Sequence, residues 1–256
     1  MRVSCRNGFT LIELSIVLVV IGLIAGGIMV GNHLIEAAAI RAQIRQLEQI
    51  KIALSVFKQK YDAIPGDIRV RAAQFGLTQG NSAGFRDNGL ISDMGGQSPI
   101  VNSPYEPLYF FGHLQEAQLY VPDYMTGCAG YVWNGVTTIT YPKLAFDASM
   151  GMVATSYNGG HWLYLGISNC ASGYFNGQAG SADQNGTLLP SIAYAIDQKM
   201  DNSSPNSGQV LAFRSSGSGP VDRPDILANQ CVTTVAATNY NIISTTKWCK
   251  LLIRAD

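Results

Sequence analysis

Apolar positions along this 256-residue chain fall into three regimes, and each predicts a different kind of element. The first is an almost unbroken run from Phe9 to Val30, FTLIELSIVLVVIGLIAGGIMV, whose one charge is Glu13. Leu14 to Val30 is uncharged and close to the short limit for a helix crossing a bilayer core, and Phe9 to Leu11 extend it. In the second regime Ala37, Ile40, Ile44, Leu47, Ile50, Leu54, Phe57 and Tyr61 recur every three or four residues. Arg41, Arg45, Gln46, Gln49 and Lys58 hold the other sides, so the pattern is that of a helix with one apolar face. Joined, Phe9 to Tyr61 is predicted as a single helix of roughly 80 Å at 1.5 Å per residue. Gly26, Gly27 and Gly31 are its soft points, and Pro65-Gly66 is expected to close it.

The third regime is short apolar stretches with frequent punctuation. About forty residues after Gly66 are rich in Gly, Asn and Ser and read as a connecting loop, which includes the turn-rich Gly84 to Ile91. A short helix is predicted over Glu106 to Leu119, with Pro107 in its first turn and Leu108, Phe111, Leu114 and Leu119 inward. Tyr131–Trp133 and Thr137–Tyr141 flank Asn134-Gly135, a hairpin signal. Leu144–Phe146, Met152–Thr155, Trp162–Ile167, Val210–Phe213 and Trp248–Ile253 are further predicted strands. Pro190 to Met200 reads as a helix buried through Ile192, Ala193, Ile196 and Met200. The fold class expected is α+β: a helical spine on an antiparallel sheet head with two inserted helices.

Composition changes this picture mainly by exclusion. Hydrophobic residues are 47% and charged residues 13%, with 17 Lys+Arg against 17 Asp+Glu and no basic run, so nucleic acid is not expected as a partner. His33, His113 and His161 are scattered, and no nucleophile elbow, zinc-protease or phosphate-loop motif occurs, so no catalytic residue is expected. The segment after the long helix is, at about 190 residues, large enough to bury its own core.

The start of the chain carries the most specific motif. A basic leader, Met1 to Asn7 with Arg2 and Arg6, runs into Gly8-Phe9-Thr10-Leu11-Ile12-Glu13. This string closely resembles the processing site of type IV prepilins and type II secretion pseudopilins. The resemblance implies cleavage between Gly8 and Phe9 by a prepilin peptidase, methylation of the Phe9 amine, and retention of the apolar helix as anchor and polymerisation spine. It inverts an ordinary secretory signal, in which the apolar core leaves with the cut. The chain then divides into a leader (1–8), a membrane and polymerisation helix (9–31), an amphipathic half-helix (32–62) and an α+β head (63–256). Arg2 and Arg6 hold the leader on the cytoplasmic side of the bacterial inner membrane, so a single pass places the head in the periplasm. Losing both leaves 15 Lys+Arg against 17 Asp+Glu, a mature net charge of about −2.

Glu13 is expensive in hydrocarbon, and no Lys or Arg lies between Arg6 and Arg41. By resemblance it neutralises the Phe9 amine of a neighbouring subunit, or its own before assembly. The implied partners are other pilin subunits, the prepilin peptidase, an inner-membrane assembly platform and membrane lipid. Many type IV pilins carry a proline where this chain has Val30, which leaves local unwinding of the helix in a filament open. Lys60 to Asp67 and Ala195 to Gly208 resemble stretches of a subset of pilin-like proteins.

Of five Cys, Cys5 departs with the leader, leaving Cys128, Cys170, Cys231 and Cys249 and three possible pairings. Sequence order favours Cys128–Cys170 with Cys231–Cys249; free buried thiols and a metal site are the alternatives. The second bridge would close a C-terminal loop much like the disulfide-bounded region of many pilins. Some pseudopilins bind calcium through loop carboxylates, which makes Asp197, Asp201 and Asn202 the first candidates here, followed by Asp87 with Asn88 and Asp62 with Asp67. None matches the twelve-residue calcium loop, and all read equally as caps and turn residues. Tyr131, Trp133, Tyr141, Tyr157, Trp162, Tyr164 and Tyr174 are either core and cross-strand residues or an exposed binding patch. Trp162, Tyr164 and Gly166 alternate as one buried face would. The expected function is a structural subunit of a pilus or pseudopilus, ending in a periplasmic or extracellular filament. The alternative is a low-copy tip subunit whose head binds a surface or a secreted substrate.

Overall fold

The computed structural model describes residues 10–68, 72–77, 88–91, 105–125, 131–133, 136–139, 141–157, 159–167, 188–213, 231–233, 239–247 and 249–256. One helix, α1 (Leu11–Tyr61), runs for 51 residues without a break through Gly26, Gly27 and Gly31. The head adds α2 (Tyr105–Glu116), β1 (Tyr131–Trp133), β2 (Val136–Ile139), β3 (Gly151–Tyr157), β4 (Gly160–Ile167), α3 (Pro190–Met200), β5 (Val210–Phe213) and β6 (Lys250–Arg254). β3, β4, β6 and β5 form an antiparallel sheet in that order, and β1 pairs with β2 as a separate antiparallel ribbon. The α+β class expected from the pattern is the class observed.

The amphipathic half of α1 supplies the core with Ile40, Leu47, Ile50, Leu54 and Phe57, all buried. They share one cluster with Met152, Ala154, Leu163, Leu165, Val210, Ala212, Leu251 and Ile253 from one face of the sheet. The other face is apolar too. Val153, Trp162, Tyr164 and Leu252 form a second buried cluster joined by Tyr141, Tyr157 and Leu211. Trp162 and Tyr164 therefore lie on the face away from the spine, and the sheet is buried on both sides rather than on one. Lys250 and Arg254 place their charged ends 5.5 Å and 5.9 Å from the Tyr164 and Trp162 rings, a cation–π arrangement that suits an apolar outer face.

Several boundaries differ from expectation for local reasons. The long helix ends at Tyr61 as its spacing predicts, but the residue that ends it is Asp62, left-handed at φ 49°, and not Pro65-Gly66. The proline and glycine instead shape the next turn. Gly66, at φ 89°, has no room for a Cβ against the Glu106 carbonyl, and its N–H donates to His113 Nδ1 at 2.9 Å. α2 ends at Glu116 rather than Leu119, since Gln118 adopts φ 58° and the Leu119 N–H returns to the Leu114 carbonyl. Leu144–Phe146 is not a strand. The Ala145 N–H is taken by Gln43 Oε1 of α1 at 2.7 Å, and Asp147–Ser149 turns the chain into β3. β6 starts at Lys250; Trp248 lies outside the described residues.

Candidate functional site in the exposed half of the long helix

Leu11 to Val30 form the first part of α1, and every residue from 10 to 30 is exposed. Leu11, Ile16, Leu18, Leu23 and Met29 each show more than half of their surface. By length and composition α1 can cross a membrane. Leu11 to Val30 spans about 30 Å, the thickness of a hydrocarbon core. So large a continuous apolar surface is stable only against lipid or other apolar helices.

The helix begins with a reciprocal cap. Thr10 Oγ1 accepts the Glu13 N–H at 3.4 Å, while Glu13 Oε2 accepts from the Thr10 N–H at 2.9 Å and the Thr10 hydroxyl at 2.7 Å. This capping box satisfies two backbone donors that a helix start leaves open. Its signature, Thr-x-x-Glu before an apolar run, stands in the sequence, where the cost of the Glu13 charge draws attention away from it. Gly8 and Phe9 lie outside the described residues.

At the far end of α1, residues from distant parts of the chain converge on His161. Asp256 Oδ2 lies 2.9 Å from His161 Nδ1 and the Gly89 carbonyl 3.0 Å from Nε2. Lys58 Nζ also lies 3.4 Å from the same Nδ1. Lys58 Nζ is 3.8 Å from the same carboxylate, which ties α1, β4 and β6 together. Burial opposes ionisation of Asp256, but the bonds and charge of His161 and the charge of Lys58 outweigh it and hold the carboxyl below its ordinary value. Asp67, buried, fixes the same loop by accepting from the N–H groups of Asn88 (3.1 Å) and Gly89 (2.6 Å). The structure thus brings Asp67 to Asn88, whereas Asp62 caps α1; Asp87 lies outside the described residues.

Asp197, Asp201 and Asn202 cluster at the end of α3, and their oxygens face backbone donors. Asp197 accepts from the Ser203 N–H at 3.0 Å and from the Tyr240 hydroxyl at 2.7 Å. Asp201 accepts from the N–H groups of Gln209 and Val210, and Asn202 accepts from Ser204. Gly208, at φ 92°, is required because a Cβ there would stand on the Asp201 carboxylate. Among the described residues no group of three or more His, Cys, Asp or Glu side chains is placed to hold a metal. Cys231 and Cys249 form a disulfide that closes the C-terminal loop; Cys128 and Cys170 lie outside the described residues.

Burial raises the Asp197 carboxyl from 3.8 to about 6, against the bonds from Tyr240 and Ser203. Folding then favours its protonated form. That contribution is complete below the ordinary value of 3.8 and is lost as pH rises through about 6. The loss is at most about 3 kcal/mol, since each tenfold change in acidity is worth about 1.4 kcal/mol. Asp256 acts with the opposite sign and in a lower window, since its stabilising charge is lost only as pH falls below the ordinary carboxylate range. We expect the melting temperature of the wild-type chain to fall between about pH 4 and pH 7, and Asp197→Asn to flatten that slope. An unchanged slope in the variant would show that Asp197 titrates normally.

Trp162 and Tyr164, candidates for an exposed binding patch, are buried, and the Trp162 indole donates to the Tyr157 carbonyl at 3.0 Å. The side chains of Tyr131 and Trp133, and all of Tyr174, lie outside the described residues. No curated protein and no solved structure matches the chain. Its first residues do find a match: residues 3–29 fit the prokaryotic N-terminal methylation motif, and the chain thus carries the prepilin-type signal of type IV pilins and pseudopilins.

Proposed function

We propose that the chain is a structural subunit of a type IV pilus or a secretion pseudopilus, matured at Gly8–Phe9 and assembled through α1. The observation that carries this reading is the continuity of the methylation motif with a 51-residue helix whose first half is wholly exposed and whose second half is core to the head. A plain membrane anchor needs neither Gly8 nor the carboxylate that Glu13 places at the start of the span. In the membrane the exposed half is covered by lipid; in a filament it is covered by the same half of other subunits. The head then stands in the periplasm, and ATP-driven extrusion belongs to a separate motor and inner-membrane platform. Burial of Trp162 and Tyr164 supports a structural head ahead of a surface-binding tip.

The test is the N-terminus of the protein recovered from membranes and sheared filaments. Mass spectrometry is expected to give a chain beginning at Phe9 with one added methyl group, and Gly8→Glu is expected to leave the leader attached. A mature chain starting beyond Val30, or still starting at Met1, would end this reading.

A further inference from the structure

Two glutamines interrupt the stripe of α1 that enters the core. Gln43 is 0% exposed, between Ile40 and Leu47, and the partly buried Gln46 follows three residues later. Their amides meet one stretch of backbone. Gln43 Oε1 accepts the Ala145 N–H at 2.7 Å, while Gln46 Nε2 donates to the Lys143 carbonyl at 3.0 Å and to the Tyr120 hydroxyl oxygen at 3.2 Å. The N–H groups of Lys143 and Leu144 bond elsewhere, to the carbonyls of Asp123 and Met150. An apolar side chain at either glutamine would deprive a backbone group of that stretch of its partner beneath the spine.

These partners fix which way each amide faces. An N–H can only donate and a carbonyl can only accept, so Gln43 must turn its oxygen to Ala145 and Gln46 its nitrogen to Lys143. What remains is one donor and one acceptor. Gln43 Nε2 and Gln46 Oε1 are both buried, and neither has a hydrogen-bond partner among the described residues. Residues three apart are neighbours on a helix face, so the two amides lie side by side. Next to them the Tyr120 hydroxyl accepts from Gln46, and its own proton is a second donor. Burial pushes the Tyr120 phenol up, which keeps that proton in place. Buried polar atoms in proteins are nearly always bonded, and where protein groups do not meet them an internal water with about three bonds does.

We propose that one water molecule binds in the seam between spine and head, accepting from Gln43 Nε2 and the Tyr120 hydroxyl and donating to Gln46 Oε1. The leftover atoms select its chemistry. A metal cation would meet the Gln43 N–H groups and an anion the Gln46 oxygen, whereas water both accepts and donates and is the smallest molecule to do so. The site lies just above Ile40, the first buried residue of α1, and joins the helix to the Tyr120 segment and to 143–145. Apolar burial presses the spine on the head without direction, and the hydrated amide pair adds the direction. The site belongs to the folded head and is independent of filament assembly.

The test uses the full chain, isotope-labelled and solubilised in detergent. Rotating-frame Overhauser spectra record contacts between water and the glutamine side-chain amides, and give opposite signs for a bound water and for proton exchange. The Gln43 amide protons are expected to show a bound water, with a contact at least about tenfold stronger than at the exposed Gln49. Gln46→Met removes the acceptor but leaves Gln43 its bond to Ala145, and is expected to abolish the water signal at the unaltered Gln43. A signal that survives Gln46→Met overturns the site. Should that variant fail to fold, the wild-type spectrum decides alone: a Gln43 amide that contacts no bound water, or that closes directly on Gln46, overturns it as well.

Discussion

Glu13→Leu and Glu13→Gln are both expected to leave leader removal intact and to cut filament yield more than tenfold. The pair separates the cap that this carboxylate forms from the charge pairing proposed for it. Glu13 Oε2 closes a capping box with Thr10, and a glutamine closes the same box. Leucine removes both cap and charge; glutamine removes the charge alone. A charged carboxylate in hydrocarbon costs roughly 2.5 kcal/mol or more on insertion scales, and hydrogen bonds from Thr10 do not neutralise it. With no Lys or Arg between Arg6 and Arg41, the nearest positive group after leader removal is the amine of Phe9. In the filament proposed above, pairing with that amine on a neighbour would reward correct docking, and about 1.4 kcal/mol per subunit is already tenfold in each addition step. Immunoblots of sheared filaments, with mass spectrometry confirming a Phe9 start, measure the effect. Normal filaments from Glu13→Gln alongside failure of Glu13→Leu would assign the requirement to capping and sink the charge-pairing idea.

How far the sequence carried depended on the range of the interaction that decided each element. The second half of the long helix, β3 to β6 and α3 follow from local pattern, because the same apolar positions that predict each element also bury it. The prepilin-type motif is local as well. Leu144–Phe146 failed for the opposite reason: its apolar pattern suits a strand, but its backbone donor is claimed by Gln43, 102 residues earlier. The His161 contacts with Asp256 and Gly89 span 95 and 72 residues, and no pattern around a single histidine reports them. Trp162 and Tyr164 alternate as a half-buried strand should, yet both faces of the sheet are covered, which alternation alone cannot register. Asp62 ended α1 ahead of the stronger Pro65-Gly66 signal through its own left-handed conformation, an option that aspartate shares with asparagine and glycine.

Phe57→Ala is expected to destabilise the head by about 3–5 kcal/mol, a large part of the roughly 5–15 kcal/mol that holds a typical domain together. Phe57 is fully buried on the stripe of α1 that enters the core. Its ring lies 4.4 Å from that of Tyr61 and parallel to the His113 imidazole at 6.4 Å. His113 in turn accepts the Gly66 N–H at the turn that follows the helix, so the cavity would open at the joint of α1, α2 and the Pro65-Gly66 turn. Ile52→Ala, five residues earlier on the same helix, removes a side chain that is 64% exposed and is expected to change stability by no more than about 0.5 kcal/mol. Urea titration of the detergent-solubilised full chain, followed by near-ultraviolet circular dichroism, compares the two midpoints. This stripe is the apolar part of what joins the spine and the head into one folding unit. Equal midpoints for Phe57→Ala and Ile52→Ala would mean that the head folds without the helix, and that force along a filament could not be transmitted to it through the core.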